Sequence, residues 1–341
     1  MPERRADHAL VAGAVAAAPC SPPTRAIARS RPGALPAGLA DALERQYAAY
    51  DREEAARDPV HLLRRYRDPA DLEIAAFCAS ALAFGRVESV IRSAGRLLDV
   101  LGPRPAAFVR RFHPVRDRAA LRGFVHRWVK ARDVAALLWV LRQMLERSGS
   151  IEAFFLEGFD GASEDVGPAL ESFSARALAL DLSAAYGRVP RRPGVASFFP
   201  RPGGGSACKR LNLFLRWMVR RDGVDLGVWR RVPPSKLVVP LDTHVVRLGR
   251  CLGLTRYRTP GWRMAADLTA TLRRIDPSDP VRFDFALCHI GIAGLCAGEG
   301  GRNAACPLRA FCPRGSRPRP SPRLRSGRAL TAPAAAAPRQ R

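Results

Sequence analysis

The chain is 341 residues long and 47% hydrophobic, enough for one large core or two lobes and too apolar for a disordered protein. Its least polar stretch, Ile74 to Phe84, is far shorter than the roughly 20 residues that span a bilayer. Lys and Arg number 56 against 31 Asp and Glu, a net charge of +25 with a pI near 11.3, which points to a polyanionic partner.

Residues 1–36 mix Ala, Pro and Arg without a sustained period and are expected to form a disordered extension. Leu10 to Ala18 only faintly resembles a secretory core. Glu3 and Asp7 precede it and Pro19 follows it, so the expected compartment is the cytoplasm. The eight cysteines show no pattern of a small secreted domain.

Ile74, Phe77, Cys78, Ala81 and Leu82 share one helix face, and Gly85 stops that helix. Val87, Val90, Ile91, Ala94, Leu97, Leu98 and Leu101 predict a second helix that ends at Gly102-Pro103, making a helical hairpin. Val134, Leu137, Leu138, Leu141, Met144 and Leu145 predict another, ending near Ser148-Gly149. With no run of alternating strands, the expected class is all-α.

The segment Pro202-Gly-Gly-Gly-Ser-Ala-Cys-Lys209 is a Gly-rich turn leading into a helix. Ser206 fits its N-cap, and Leu211, Phe214, Leu215 and Met218 its buried face. Lys209, Arg216 and Arg220 fall together on another face, so a basic stripe would follow the free amides of a helix N-terminus. Gly203, Gly204, Gly205, Ser206, Arg210, Arg216 and Arg220 are therefore candidate nucleic-acid contacts. The same pattern also fits an ordinary turn before a core helix with solvated arginines. A Walker A loop is excluded, because no Gly-Lys-Ser/Thr follows. Further on, Asp242 fits the N-cap of a helix whose buried face is Val245, Leu248 and Leu252 and which Gly253 closes. A capping carboxylate is rigidly held and can also face a cleft, where it would steady a cationic transition state.

Asp71-Leu-Glu-Ile-Ala-Ala-Phe77, Leu82-Ala-Phe-Gly-Arg-Val87, Lys209 to Arg220, Leu226-Gly-Val-Trp229 and Pro240-Leu-Asp-Thr-His-Val245 together resemble a bacterial family catalogued as domain of unknown function 2400, over roughly residues 40–295. More distantly, Pro240-Leu-Asp-Thr-His-Val245 resembles the catalytic segment of the helix-hairpin-helix DNA glycosylases, the endonuclease III superfamily. The Gly-rich turn with Lys209 resembles that superfamily's hairpin and Schiff-base lysine. Cys296, Asn303, Cys306 and Cys312 resemble its Cys-x6-Cys-x2-Cys-x5-Cys iron–sulphur loop, with Asn at the second position.

The resemblance implies a two-lobed helix-hairpin-helix glycosylase-like fold. Residues 37–70 and 236–313 would form a terminal lobe with the cysteine loop, residues 71–235 a central lobe with the Gly-rich hairpin, and residues 314–341 a disordered Arg/Pro-rich tail. It implies base-excision chemistry on duplex DNA, with Asp242 and Lys209 catalytic and Arg86 and His244 contacting nucleic acid. The cofactor would be a [4Fe–4S] cluster on Cys296, Cys306 and Cys312, with Cys288 the candidate fourth ligand. Zinc on the same cysteines with Cys288 or His289, or no metal at all, are the alternatives. A non-catalytic helical nucleic-acid-binding protein is the alternative function. The tail after Cys312 holds eight Arg and no acid, and Ala37–Cys312 retains +14.

Overall fold

A computed structural model describes residues 35–49, 58–296 and 305–312. The expected N-terminal extension up to residue 34, the tail 314–341 and Asn303 lie outside the described residues.

In chain order the helices are α1 Leu39–Ala49, α2 Pro69–Ala81, α3 Val87–Leu101, α4 Pro105–Arg111, α5 Ala131–Ser148, α6 Ile151–Leu156, α7 Gly167–Leu178, α8 Ser183–Tyr186, α9 Lys209–Val219, α10 Thr243–Cys251, α11 Trp262–Arg273 and α12 Asp284–Ile292. Between α4 and α5 lies a short antiparallel hairpin, β1 Val125–His126 and β2 Val129–Lys130. The fold is all-α apart from this hairpin. Two-residue strands are too short to show alternation in sequence. Among the described residues no helix is long and apolar enough to cross a membrane.

Helix α2 lies at the centre. Asp68 caps it, accepting from the amides of Ala70 and Asp71 at 2.9 and 3.2 Å, with Pro69 in the first turn. Every residue from Leu72 to Ala81 is buried, well beyond the single expected face. A helix covered on all sides has neighbours all round. Here α3, α4 and α9 pack against it.

Two acids of α2 cap its neighbours. Asp71 accepts from the Ala106 amide of α4 at 2.8 Å. Buried Glu73 accepts from the Ile151 and Glu152 amides of α6 at 2.8 and 2.7 Å, and from Trp229 Nε1 at 2.8 Å. Asp71, Glu73 and Trp229 belong to the motifs quoted above, and in the structure their work is to tie helices together.

The α2–α3 hairpin forms as expected, with Gly85 at φ +99° between the helices and Gly102 at φ +70° after them. Helix α5 buries its expected stripe. Helix α1 lies against α12, where Tyr47 meets Phe283 edge-on at 6.3 Å and Glu44 pairs with Arg282.

Candidate active site

A cavity of about 830 Å³ opens where six stretches of chain meet: Asp58-Pro59, the loop from Ala83 into α3, Arg127 of the β1–β2 hairpin, the first turns of α9, the approach to α10, and α12. Lys209 and Asp242, 33 positions apart in the chain, both line it, as do Arg86 and His244.

Asp242 is the N-cap of α10, with extended backbone, and its Oδ1 accepts from the Val245 amide at 2.7 Å. Val245, Leu248 and Leu252 are buried as the sequence implied. Its other oxygen, Oδ2, accepts from the Cys288 thiol at 3.0 Å. Burial, then the carboxyls of Asp242 and Asp284, push the Cys288 thiol far up, so it stays protonated and acts as a donor. Two donors from two helices thus fix the Asp242 carboxyl.

Lys209 opens α9 and its Nζ donates to the Ala83 carbonyl at 2.9 Å. His244 Nδ1 lies 3.1 Å from an Arg247 guanidinium nitrogen, and its ring packs so closely on Gly291 that no Cβ would fit there.

The inner wall is a charged network. Arg216 and Arg220 are each only 3% exposed. Arg216 pairs with Asp225 at 3.2 Å and Asp284 at 2.5 Å. Arg220 pairs with Asp222 and Asp279 at 2.8 Å each, and with Asp225. The expected solvent-facing basic stripe is therefore corrected: α9 is covered on this side, and carboxyls neutralise what solvent or phosphate would have. Four carboxyls face two guanidinium groups, so one of them holds its proton easily. Burial pushes Asp284 up to about 7 against the pull of Arg216, with the Asp242 charge adding to the rise. Arg216 Nη2 and Asp284 Oδ1 are buried with no hydrogen-bond partner.

The other proposed phosphate contacts change as well. Arg210 turns inward, donating to the Ala81 carbonyl at 2.8 Å and to the Ser197 carbonyl. Burial draws it down to about 10. The Gly203 amide donates to the Glu171 carboxyl at 2.7 Å, the Gly204 amide to Arg201 O at 3.2 Å, and the Gly205 amide to Pro202 O at 2.8 Å. That turn is closed on itself and lies beside an acid. Ser206 is not the N-cap. Cys208 is, in left-handed conformation at φ +49°, and the Ser206 hydroxyl accepts from its amide at 3.1 Å.

The cysteines sort differently from the expected ligand set. The Cys288 thiol donates to Asp242. Cys251, at the end of α10, lies with its sulphur 2.8 Å from that of Cys312. Burial and then Cys312 raise the Cys251 thiol, with further contributions from Cys296 and Cys306. Thiol chemistry suits iron–sulphur or zinc ligation. Among the described residues, however, no three Cys, His, Asp or Glu side chains converge as they would around an ion.

Phe84, Arg127, Asp284, Phe285 and His289 also line the cavity. Periodicity gave no reason to single them out. Asp284 alone carried a signal, an acid heading a helix, as Asp242 does.

A helical protein with an acid- and lysine-lined cavity is the class these features define. The family described as "Protein of unknown function (DUF2400)" matches residues 58–293, and the chain belongs to that family. No curated protein and no solved structure matches.

Proposed function

We propose that this chain is a nucleic-acid-binding enzyme of base-excision type that cleaves N-glycosidic bonds, with Lys209 adding a lyase step. The observation that carries the proposal is the presence of Asp242 and Lys209 in one cavity, the first doubly anchored and the second at a helix start. A base inside a duplex is out of reach, so the nucleotide would rotate out into the cavity. The Asp242 carboxylate would face the positive charge that develops at C1′ as the bond to the base breaks. Lys209, as the neutral amine, would leave Ala83 O and attack C1′, the bonding pair departing with the base. Ring opening, with an amine proton passing to O4′, then gives a protonated imine; loss of the C2′ proton to water breaks the C3′–O bond and expels the 3′ phosphate, and water hydrolyses the imine to free Lys209.

Borohydride trapping tests this on duplexes carrying an abasic site, 8-oxoguanine, uracil or an oxidised pyrimidine. A covalent adduct absent from Lys209→Ala, with base release lost in Asp242→Asn while DNA affinity holds, is the expected result. Affinity that collapses together with release in Asp242→Asn would make the residue structural. No adduct and no release on any duplex would leave the non-catalytic binding protein.

The iron–sulphur proposal rests on donor chemistry alone, and no step above runs through it. Cys251 replaces Cys288 as the thiol to test beside Cys296, Cys306 and Cys312. Protein purified without oxygen should carry iron and sulphide and show the broad visible absorption of a cluster, lost in Cys251→Ser. Colourless, iron-free protein removes the cluster, and bound zinc would favour the rival metal.

A further inference from the structure

Trp128 is 61% exposed, high among the large apolar side chains of this chain. It stands at the tip of the β1–β2 hairpin, directly after Arg127, which holds φ +54°. A two-residue hairpin turn usually puts Gly at such a position, so a non-glycine residue there bears strain. The Trp128 ring stacks on Phe84 with centroids 4.5 Å apart and planes 24° apart, and Phe84 lines the cavity.

Phe84 is itself clamped. His126 meets it edge-on at 4.6 Å, and the Arg210 guanidinium lies 5.0 Å from its ring centre. One His126 ring nitrogen is 3.1 Å from the Phe84 carbonyl and the other 3.0 Å from Ser93 Oγ of α3. Burial draws His126 below its ordinary value. The outer face of Trp128 is thus presented by a rigid support at the rim of the cavity.

The surroundings are cationic. The Arg127 guanidinium lies 5.7 Å from the Trp128 ring centre, exposed Arg86 lines the cavity as Phe84 does, and Arg122 and Lys130 are exposed just before and at the end of the hairpin. Glu88, in the first turn of α3, is an exposed acid that lines the cavity with Arg86 and Arg127. An exposed aromatic face with guanidinium groups around it is suited to a base that has left its stack, with the phosphates on either side held by the arginines.

We propose that Trp128 is a stacking platform for an unstacked base of a nucleic-acid strand, placed by the strained hairpin at the rim of the Asp242–Lys209 cavity. The proposal deepens the base-excision reading by naming how the strand is held, but stacking does not depend on catalysis and is tested by binding alone.

The experiment compares wild type, Trp128→Ala, Trp128→Phe and Arg127→Ala against a single-stranded oligonucleotide over a range of salt, with heparin as a polyanion that has no bases. Trp128→Ala should weaken the oligonucleotide about ten-fold, leave its salt slope unchanged and leave heparin binding unchanged. Trp128→Phe should recover most of the loss, and Arg127→Ala should lower the salt slope instead. Circular dichroism and the melting midpoint of each variant check that it is folded. Equal affinity of wild type and Trp128→Ala overturns the platform, as does an equal loss towards heparin. A dimer that becomes monomeric in Trp128→Ala also overturns it, because a second copy would then cover the ring. Stacking that fails while the trapping assay succeeds removes only the platform, and the reverse pattern removes only the chemistry.

Discussion

At the scale of single residues, two carboxyls of the cavity are held in different ways. Asp242 keeps two donors, one of them a thiol that burial prevents from ionising. Asp284, beside it, is raised from 3.8 to about 7. A carboxyl with a raised folded value stabilises the fold fully below its unfolded value, and that contribution disappears as pH climbs through the folded one. The stability of the wild type should therefore fall relative to Asp284→Asn between about pH 4 and pH 7 and run parallel above that. Urea unfolding of both proteins across this range measures it, and parallel curves throughout would mean that Asp284 is ionised in the fold like an ordinary carboxyl.

At the scale of elements, α9 turns from an expected binding surface into a strut. Arg216 and Arg220 lie against Asp225, Asp284, Asp222 and Asp279, and every α9 residue from Leu211 to Val219 is buried. Removing one member of such a network leaves the others buried without a partner, which costs about 3–5 kcal/mol. Arg220→Ala should accordingly lower the unfolding free energy by an amount of that size while leaving the salt dependence of nucleic-acid binding intact. A stable variant with a shallower salt slope would restore Arg220 to the binding surface. The same reasoning explains why the motif acids Asp71 and Glu73 serve as caps: a carboxylate placed at the first amides of a neighbouring helix both orients and attaches it.

For the whole molecule, charge is the property that composition states most directly. The chain carries +25, and the segment after Cys312 supplies eight arginines with no acid. Removing residues 314–341 should weaken nonspecific binding to DNA and flatten its salt dependence, with the melting midpoint unchanged. A drop in that midpoint would show that the segment packs on the folded part. Within Ala37–Cys312, the buried Arg216 and Arg220 are matched by acids and Arg210 by carbonyls, so the cationic surface must come from other residues, Arg86, Arg122, Arg127 and Lys130 among them.

Local pattern was enough to determine the helical class, the α2–α3 hairpin, the buried stripe of α5, and Asp242 as a cap, because helix periodicity and capping are decided by residues within a few positions of each other. Family membership was equally legible in the motif wording. What needed the tertiary structure was every feature set by distant partners. A helix wheel cannot show that the second face of α9 meets acids from a following loop and from α12, so the stripe of Lys209, Arg216 and Arg220 read as solvated. The Cys251–Cys312 approach was hidden for the same reason: spacing along the loop marks which thiols are near in sequence, and only packing decides which are near in space. Trp128 left no trace in any period, since its position depends on a two-residue turn and on the ring of Phe84 more than 40 residues earlier. The cavity belongs to this second group, because its walls come from six separated stretches of chain that meet only once the helices have packed.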